Sequence, residues 1–231
     1  MKWRPASAPE RTALSGELVR LEPLDPPRHS KSLFTSSHGA GGDPHIWDHL
    51  AYGPFADQDE FNAWLEQRAA SEDPLFFAVV DQATKQAQGM AAYMRMAPEH
   101  GAIEIGHIWF APVLQRTRQA TEAIFLLARN AFDTLGYRRL EWKCDVLNEK
   151  SRRAAERFGF TFEGIFRQHM VVKGRNRDTA WYSITDGEWP VRRAAFETWL
   201  SPDNFDESGR QFESLSGLWA LLERDSQRYQ E

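Results

Sequence analysis

Glu104-Ile105-Gly106-His107-Ile108-Trp109-Phe110-Ala111-Pro112 runs directly into Val113-Leu114-Gln115-Arg116-Thr117-Arg118-Gln119-Ala120-Thr121-Glu122-Ala123. The first stretch reads as a strand (residues 102–110) and the second as a short loop opening a long helix. Ala120, Ile124, Leu127, Ala131 and Leu135 form one helical stripe, and Gly136 follows as a left-handed cap. A strand-loop-helix of this kind gathers free backbone N–H groups at a helix N-terminus, where the dipole adds to them and suits a pyrophosphate. Many such loops bind nothing, so the reading needs a second feature.

Working outward, residues 17–23, 75–80 and 88–95 read as strands, and residues 25–37 and the stretch capped by Asp57 as helices. The strands at 75–80, 88–95 and 102–110 follow one another without a helix, which implies an antiparallel meander. Downstream, residues 139–145 predict a strand, 150–158 a short helix stopped by Gly159, and 164–173 and 179–186 two strands around a turn at Gly174-Arg175-Asn176-Arg177. Helical spacing returns at 190–200 and 215–222. The expected organisation is a loosely held N-terminal arm (1–15), a main domain (16–189) and a C-terminal helical extension (190–231).

Composition narrows the function. Of 231 residues, 28 are Lys or Arg and 33 are Asp or Glu, a net charge of −5, which argues against coating nucleic acid by charge. No run approaches a membrane span, and the N-terminus lacks the apolar stretch of an export signal. Cys144 is the single cysteine, which excludes an intrachain disulfide and fits a reducing compartment, with the cytoplasm as the default. His45 and His49 have the spacing of metal ligands but lack a third partner, so no metal site is expected.

The second feature is Cys144-Asp145-Val146-Leu147-Asn148-Glu149-Lys150-Ser151, followed by a helix ending in Phe158-Gly159-Phe160 and then by Glu163-Gly164. Together with Gly16-Glu17-Leu18-Val19-Arg20-Leu21 and the Glu-Ile-Gly strand, it resembles the GCN5-related N-acetyltransferase superfamily. The similarity is to the branch containing the ribosomal-protein alanine N-acetyltransferases, over about residues 14–186. It implies an α+β acyl-CoA N-acyltransferase fold: a mixed, mostly antiparallel sheet, helices on both faces and splayed central parallel strands. Here those strands are 102–110 and 139–145. Acetyl-CoA, the implied donor, inserts its pantetheine arm between them, satisfying backbone groups as a missing strand would. The implied activity is acetylation of a primary amine by direct attack in a ternary complex, the acceptor being a small molecule, an amino acid or a peptide N-terminus.

The resemblance also distributes roles. Gln115, Arg116, Thr117, Arg118, Gln119, Ala120 and Thr121 form the pyrophosphate cradle, with Trp109 and Phe110 beside it, and Asn148 and Ser151 contact the cofactor or the departing sulfur. Glu104 is the candidate base and Ser151 the candidate acid. Trp47, Tyr52, Phe55, His107 and His169 are candidate acceptor contacts; for the aromatics and histidines a packing role is the plainer reading, as is a structural carboxylate for Glu104. Strand parity sets His107 opposite Glu104 unless a bulge intervenes. His107 and His169 could also titrate near neutral pH and relay protons.

Three residues depart from the family pattern. Arg118 stands at the first loop glycine, Ala155 where many members have tyrosine, and Met170 where the ribosomal enzymes have a carboxylate. A positive φ at position 118 would cost about 1 kcal/mol and reshape the loop. Its guanidinium could pair with cofactor phosphate or stay solvated. These departures together motivate the alternative of a non-catalytic acyl-CoA-binding or interaction module; transfer of a longer acyl chain is a third possibility. The aromatic C-terminal segment makes a homodimer plausible.

Overall fold

The structure is a computed structural model and describes residues 3–228. Its centre is an eight-stranded sheet of order β1-β2-β3-β4-β5-β6-β8-β7. The strands are β1 (Leu14–Ser15), β2 (Val19–Pro23), β3 (Leu75–Asp81), β4 (Ala87–Ala97), β5 (Ala102–Phe110), β6 (Arg139–Asp145), β7 (Thr161–Val172) and β8 (Arg175–Thr185). The helices are α1 (Pro26–His38), α2 (Gln58–Ala69), α3 (Arg118–Arg129), α4 (Glu149–Arg157), α5 (Trp189–Leu200) and α6 (Leu215–Arg228). β3, β4 and β5 form the antiparallel meander that their adjacency predicts, and β5 with β6 is the parallel pair.

Helices cover both faces. Leu33, Phe61 and Leu65 of α1 and α2 pack with Phe76, Ala78 and Met90, while Ala123, Ile124 and Leu127 of α3 pack with Phe77, Val79, Ile103 and Ile105. Every residue of β3 is buried because its alternate side chains enter these two cores, which is why its sequence reads as a continuous apolar run. The opening motif also has a physical cause. The buried Glu122 carboxylate on α3 accepts hydrogen bonds from the backbone N–H groups of Glu17, Leu18 and Val19 at 2.7–2.9 Å. A Cβ on Gly16 would collide with that carboxylate, so the turn requires glycine.

Three details differ from the sequence-based expectations. The N-terminal stretch is fastened, with Ala6 N–H donating to the Pro98 carbonyl, Ser7 N–H to the Leu135 carbonyl, and Leu14–Ser15 pairing with β2. The long helix ends its α-helical part at Arg129 and continues as a π-turn through Asn130–Thr134 before Gly136, at φ +76°. The last hairpin turns at Lys173-Gly174, both at positive φ, and not at residues 174–177; Val172 pairs directly with Arg175. A two-residue turn with both residues left-handed matches the twist of the strands it joins.

Candidate active site

β5 and β6 pair only at Ala102↔Arg139, Ile103↔Leu140 and Glu104↔Glu141. Beyond Glu104 the strands part, and their facing edges have no ladder partner. A cavity of about 220 Å³ occupies the opening, lined by Ile105, Gly106 and His107 of β5 and by Trp142, Lys143 and Cys144 of β6. It extends to Asn148 and Ser151 at the entry of α4 and to Met170 and Arg177 of the β7–β8 hairpin. The wedge expected from the resemblance is therefore present among the described residues.

A bulge re-aims β5 within the opening. Ala92 pairs with Gly106 but Met90 pairs with Trp109, so β5 carries one extra residue, and His107 adopts φ +50°. The bulge reverses the simple parity and brings His107 to the face of α1 and α2, against Phe76 at 5.0 Å and Tyr52 at 5.6 Å between ring centroids. The Tyr52 hydroxyl lies 3.2 Å from His107 Nδ1. Burial, reinforced by the Arg68 and Arg95 cations, pushes His107 down to about 4. The imidazole is thus neutral at physiological pH, correcting the expectation that it titrates near neutrality.

Glu104 is 3% exposed at the point where the strands separate. Its Oε2 meets Arg95 Nη1 at 2.8 Å and Lys143 Nζ at 2.9 Å. Lys143 also reaches Glu141 Oε2 at 2.6 Å and stands 3.8 Å over the Trp181 ring. Burial raises Glu141, but hydrogen bonds from Lys143 and Arg139 outweigh it and hold the carboxyl below its usual range. Lys143 is a rivet at the fork: it neutralises two carboxylates that the last parallel pair sets side by side. Sequence reading missed Arg95 and Lys143. The alternation Arg139, Glu141, Lys143 along one face of β6 was the available signal.

At the entry of α4, the Asn148 side chain caps the helix by accepting from Ser151 N–H at 3.0 Å. Ser151 Oγ accepts the Trp142 indole N–H at 3.0 Å and also hydrogen-bonds the Cys144 side chain. Cys144 beside it is buried, and burial pushes its thiol up, consistent with the packing role expected from sequence.

In the cradle, Thr117 caps α3 by accepting from Ala120 N–H, and Gln115 Nε2 donates to the Phe110 carbonyl. The left-handed residue is Arg116, at φ +61°, and not Arg118, which is the first residue of α3. Arg118 Nη2 donates to the Leu200 carbonyl. Thr121 accepts from Arg157, and Gln119 Nε2 lies 3.5 Å from Asp81. Trp109 packs on Trp47 at 5.0 Å.

The acceptor candidates separate. His107 lines the cavity and Tyr52 touches it through His107, whereas Trp47 and Phe55 are packed inside the second core. His169 lies on a bulge of β7 outside the cavity, with Nδ1 3.0 Å from Thr179 Oγ1. Lys173 donates to the Trp47 and Gly53 carbonyls and ties the hairpin to the segment between α1 and α2. His45 pairs with Asp48 and His49 with Asp145, and no cluster of three or more His, Cys, Asp or Glu suited to a metal occurs among the described residues.

The family model described as an acetyltransferase (GNAT) domain matches residues 19–161. The chain belongs to this family. GNAT enzymes are acyltransferases whose donor is acetyl-CoA. A crystal structure of a GCN5-related N-acetyltransferase from Brucella melitensis is 49% identical, with a TM-score of 0.92 over 95% of this chain and 99% of that one. "Putative ribosomal N-acetyltransferase YdaF" of Bacillus subtilis (strain 168) is 34% identical over 101 residues, 44% of this chain and 55% of YdaF. The chain thus spans about half the length of the curated relatives it matches. The microcin C7 self-immunity acetyltransferase MccE, solved with acetyl-CoA and AMP, shares the fold at 21% identity and a TM-score of 0.64, over 74% of this chain and 93% of that one.

Proposed function

We propose that this chain transfers the acetyl group of acetyl-CoA to a primary amine by direct attack in a ternary complex. The observation that carries the proposal is the opening between β5 and β6, whose unpaired edges offer N–H and C=O groups to an amide-bearing arm. The acetyl carbonyl, so held, faces an acceptor amine in the cavity. Glu104 takes the amine proton, directly or through one water, as nitrogen attacks the carbonyl. Ser151 donates to the departing thiolate, its hydroxyl oriented by the Trp142 N–H. The segment from Gln115 to Thr121 holds the pyrophosphate at the N-terminus of α3.

His107 and Tyr52 flank the acceptor, and the neutral imidazole adds no charge that would repel an incoming ammonium. The acceptor is a small molecule, an amino acid or a peptide N-terminus; the similarity to YdaF supports the last of these. The buried lone cysteine suits a reducing compartment such as the cytoplasm. Exposed Phe212 and Leu221 on the C-terminal extension support a homodimer, which light scattering in solution tests.

The experiment for the activity is calorimetry with acetyl-CoA combined with a free-thiol assay over a panel of amines and peptides. Thiol release that depends on an amine supports transfer. Binding without turnover for every acceptor favours the non-catalytic module, and faster release from longer thioesters favours a longer acyl group.

A further inference from the structure

We infer that Arg118 is a positioning residue and that the C-terminal extension, acting through it, tunes the affinity for acetyl-CoA. The inference rests on the reading of residues 115–121 as the pyrophosphate cradle. A cation in the first turn of a helix opposes the positive end of the helix dipole, so Arg118 at the start of α3 needs an explanation. Its guanidinium leaves the α3 axis: Nη2 donates to the Leu200 carbonyl at 2.7 Å, and Cζ lies 4.3 Å from the centroid of the Phe205 ring. Leu200 is the last residue of α5, so this carbonyl sits at the negative end of that helix. One side chain thereby joins the positive end of α3 to the negative end of α5.

A second tie runs parallel to the first. Arg157 Nη1 donates to Thr121 Oγ1 at 3.1 Å, and its Cζ lies 4.8 Å from the centroid of Trp199 in the last turn of α5. Both ties join the first turn of α3 to the end of α5. The extension is itself anchored: Phe196 stacks on Phe125 at 5.3 Å, and Arg192 Nε donates to the Gly159 carbonyl at 3.0 Å.

The cradle needs such support because its left-handed residue, Arg116, is not glycine and holds a backbone conformation that L residues rarely adopt. Holding the first turn of α3 from behind keeps its N–H groups aligned before the donor arrives, which lowers the ordering cost of binding. Arg118 and Arg157 lie within the family match at residues 19–161, but α5 and Phe205, against which both ties rest, lie outside it, so this part of the support is additional to the matched domain.

The test compares Phe205→Ala, Arg118→Ala and Arg118→Lys, using acetyl-CoA Kd by calorimetry, KM and kcat by thiol release, and amide hydrogen exchange without donor. Phe205→Ala is expected to raise Kd and KM about five- to tenfold, to change kcat at saturating donor less than twofold, and to speed exchange in residues 118–121 but not in β3. Arg118→Ala should also raise Kd and KM and speed exchange in residues 118–121, Arg118→Lys should recover part of the affinity, and the double variant Arg118→Ala with Phe205→Ala should fall short of the product of the single effects on Kd. Unaltered affinity and exchange in Phe205→Ala overturn the inference even if Arg118→Ala binds weakly, because Arg118 then acts on phosphate directly. A wild-type protein that binds no acetyl-CoA overturns the cradle reading together with the inference, an outcome distinct from normal wild-type binding with an indifferent Phe205→Ala.

Discussion

The two edges of β6 are treated differently. Toward β8 it pairs at all seven positions, from Arg139↔Thr185 to Asp145↔Thr179; toward β5 it pairs at three and then parts. Both edges belong to the same seven residues, so intrinsic strand propensity cannot account for the difference. On the zipped side the ladder to β8 runs without a break in register, and Leu140, Trp142 and Cys144 of β6 enter the core. On the open side Lys143 ties β6 to Glu104 at the last paired position, and beyond it the bulge at His107 turns β5 out of register. One edge holds the sheet together, and the other keeps backbone groups available for a ligand.

The comparison breaks most severely on the closed side. Leu140→Ala empties a fully buried site and is expected to cost about 2–5 kcal/mol in a denaturant melt while leaving the donor KM unchanged in folded protein. A KM that rises in parallel would show that the two edges are not independent. On the open side, Glu104→Gln should lower kcat about a hundredfold in the thiol assay and shift its pH dependence; a loss under threefold removes Glu104 as the base.

A smaller effect sharpens the picture of the bulge. Native His107 is held near 4 and an unfolded histidine titrates near 6.5, so between these values the unfolded chain binds more protons. Stability should fall as pH drops from 6.5 toward 4, by about 3 kcal/mol, and His107→Asn should flatten that slope. The smallest expected effect is a loss of about tenfold in kcat for Ser151→Ala, partly restored by Ser151→Thr; wild-type kinetics in Ser151→Ala would leave thiolate protonation to water.

Much of this was legible in the sequence where patterns are local. The stripe on α3 and the apolar run of β3 follow from side-chain periodicity, which acts within a few residues, whereas Asn148, expected to contact the cofactor, is seen to cap α4. The site was less legible wherever partners are distant. The opposition of His107 and Glu104 expected from parity was undone by one inserted residue. Trp47 and Phe55, plausible as acceptor contacts from their loop, are core residues because aromatic rings from α1, α2 and β5 close around them. The destination of Lys173 depended on where a hairpin tip meets a segment more than a hundred residues earlier.

The sequence by itself determined which segments become strand and helix, and it placed a strand, a loop and a capped helix start in the order that acetyl-CoA chemistry uses. Only the tertiary structure decided that β5 and β6 separate after Glu104, that Lys143 is held between two carboxylates, and that Arg118 turns away from its own helix to α5. The physical reason is range. Periodicity and capping are set by neighbours along the chain, whereas the parting of two strands and the pairing of a buried charge are set by whatever the folded chain brings alongside.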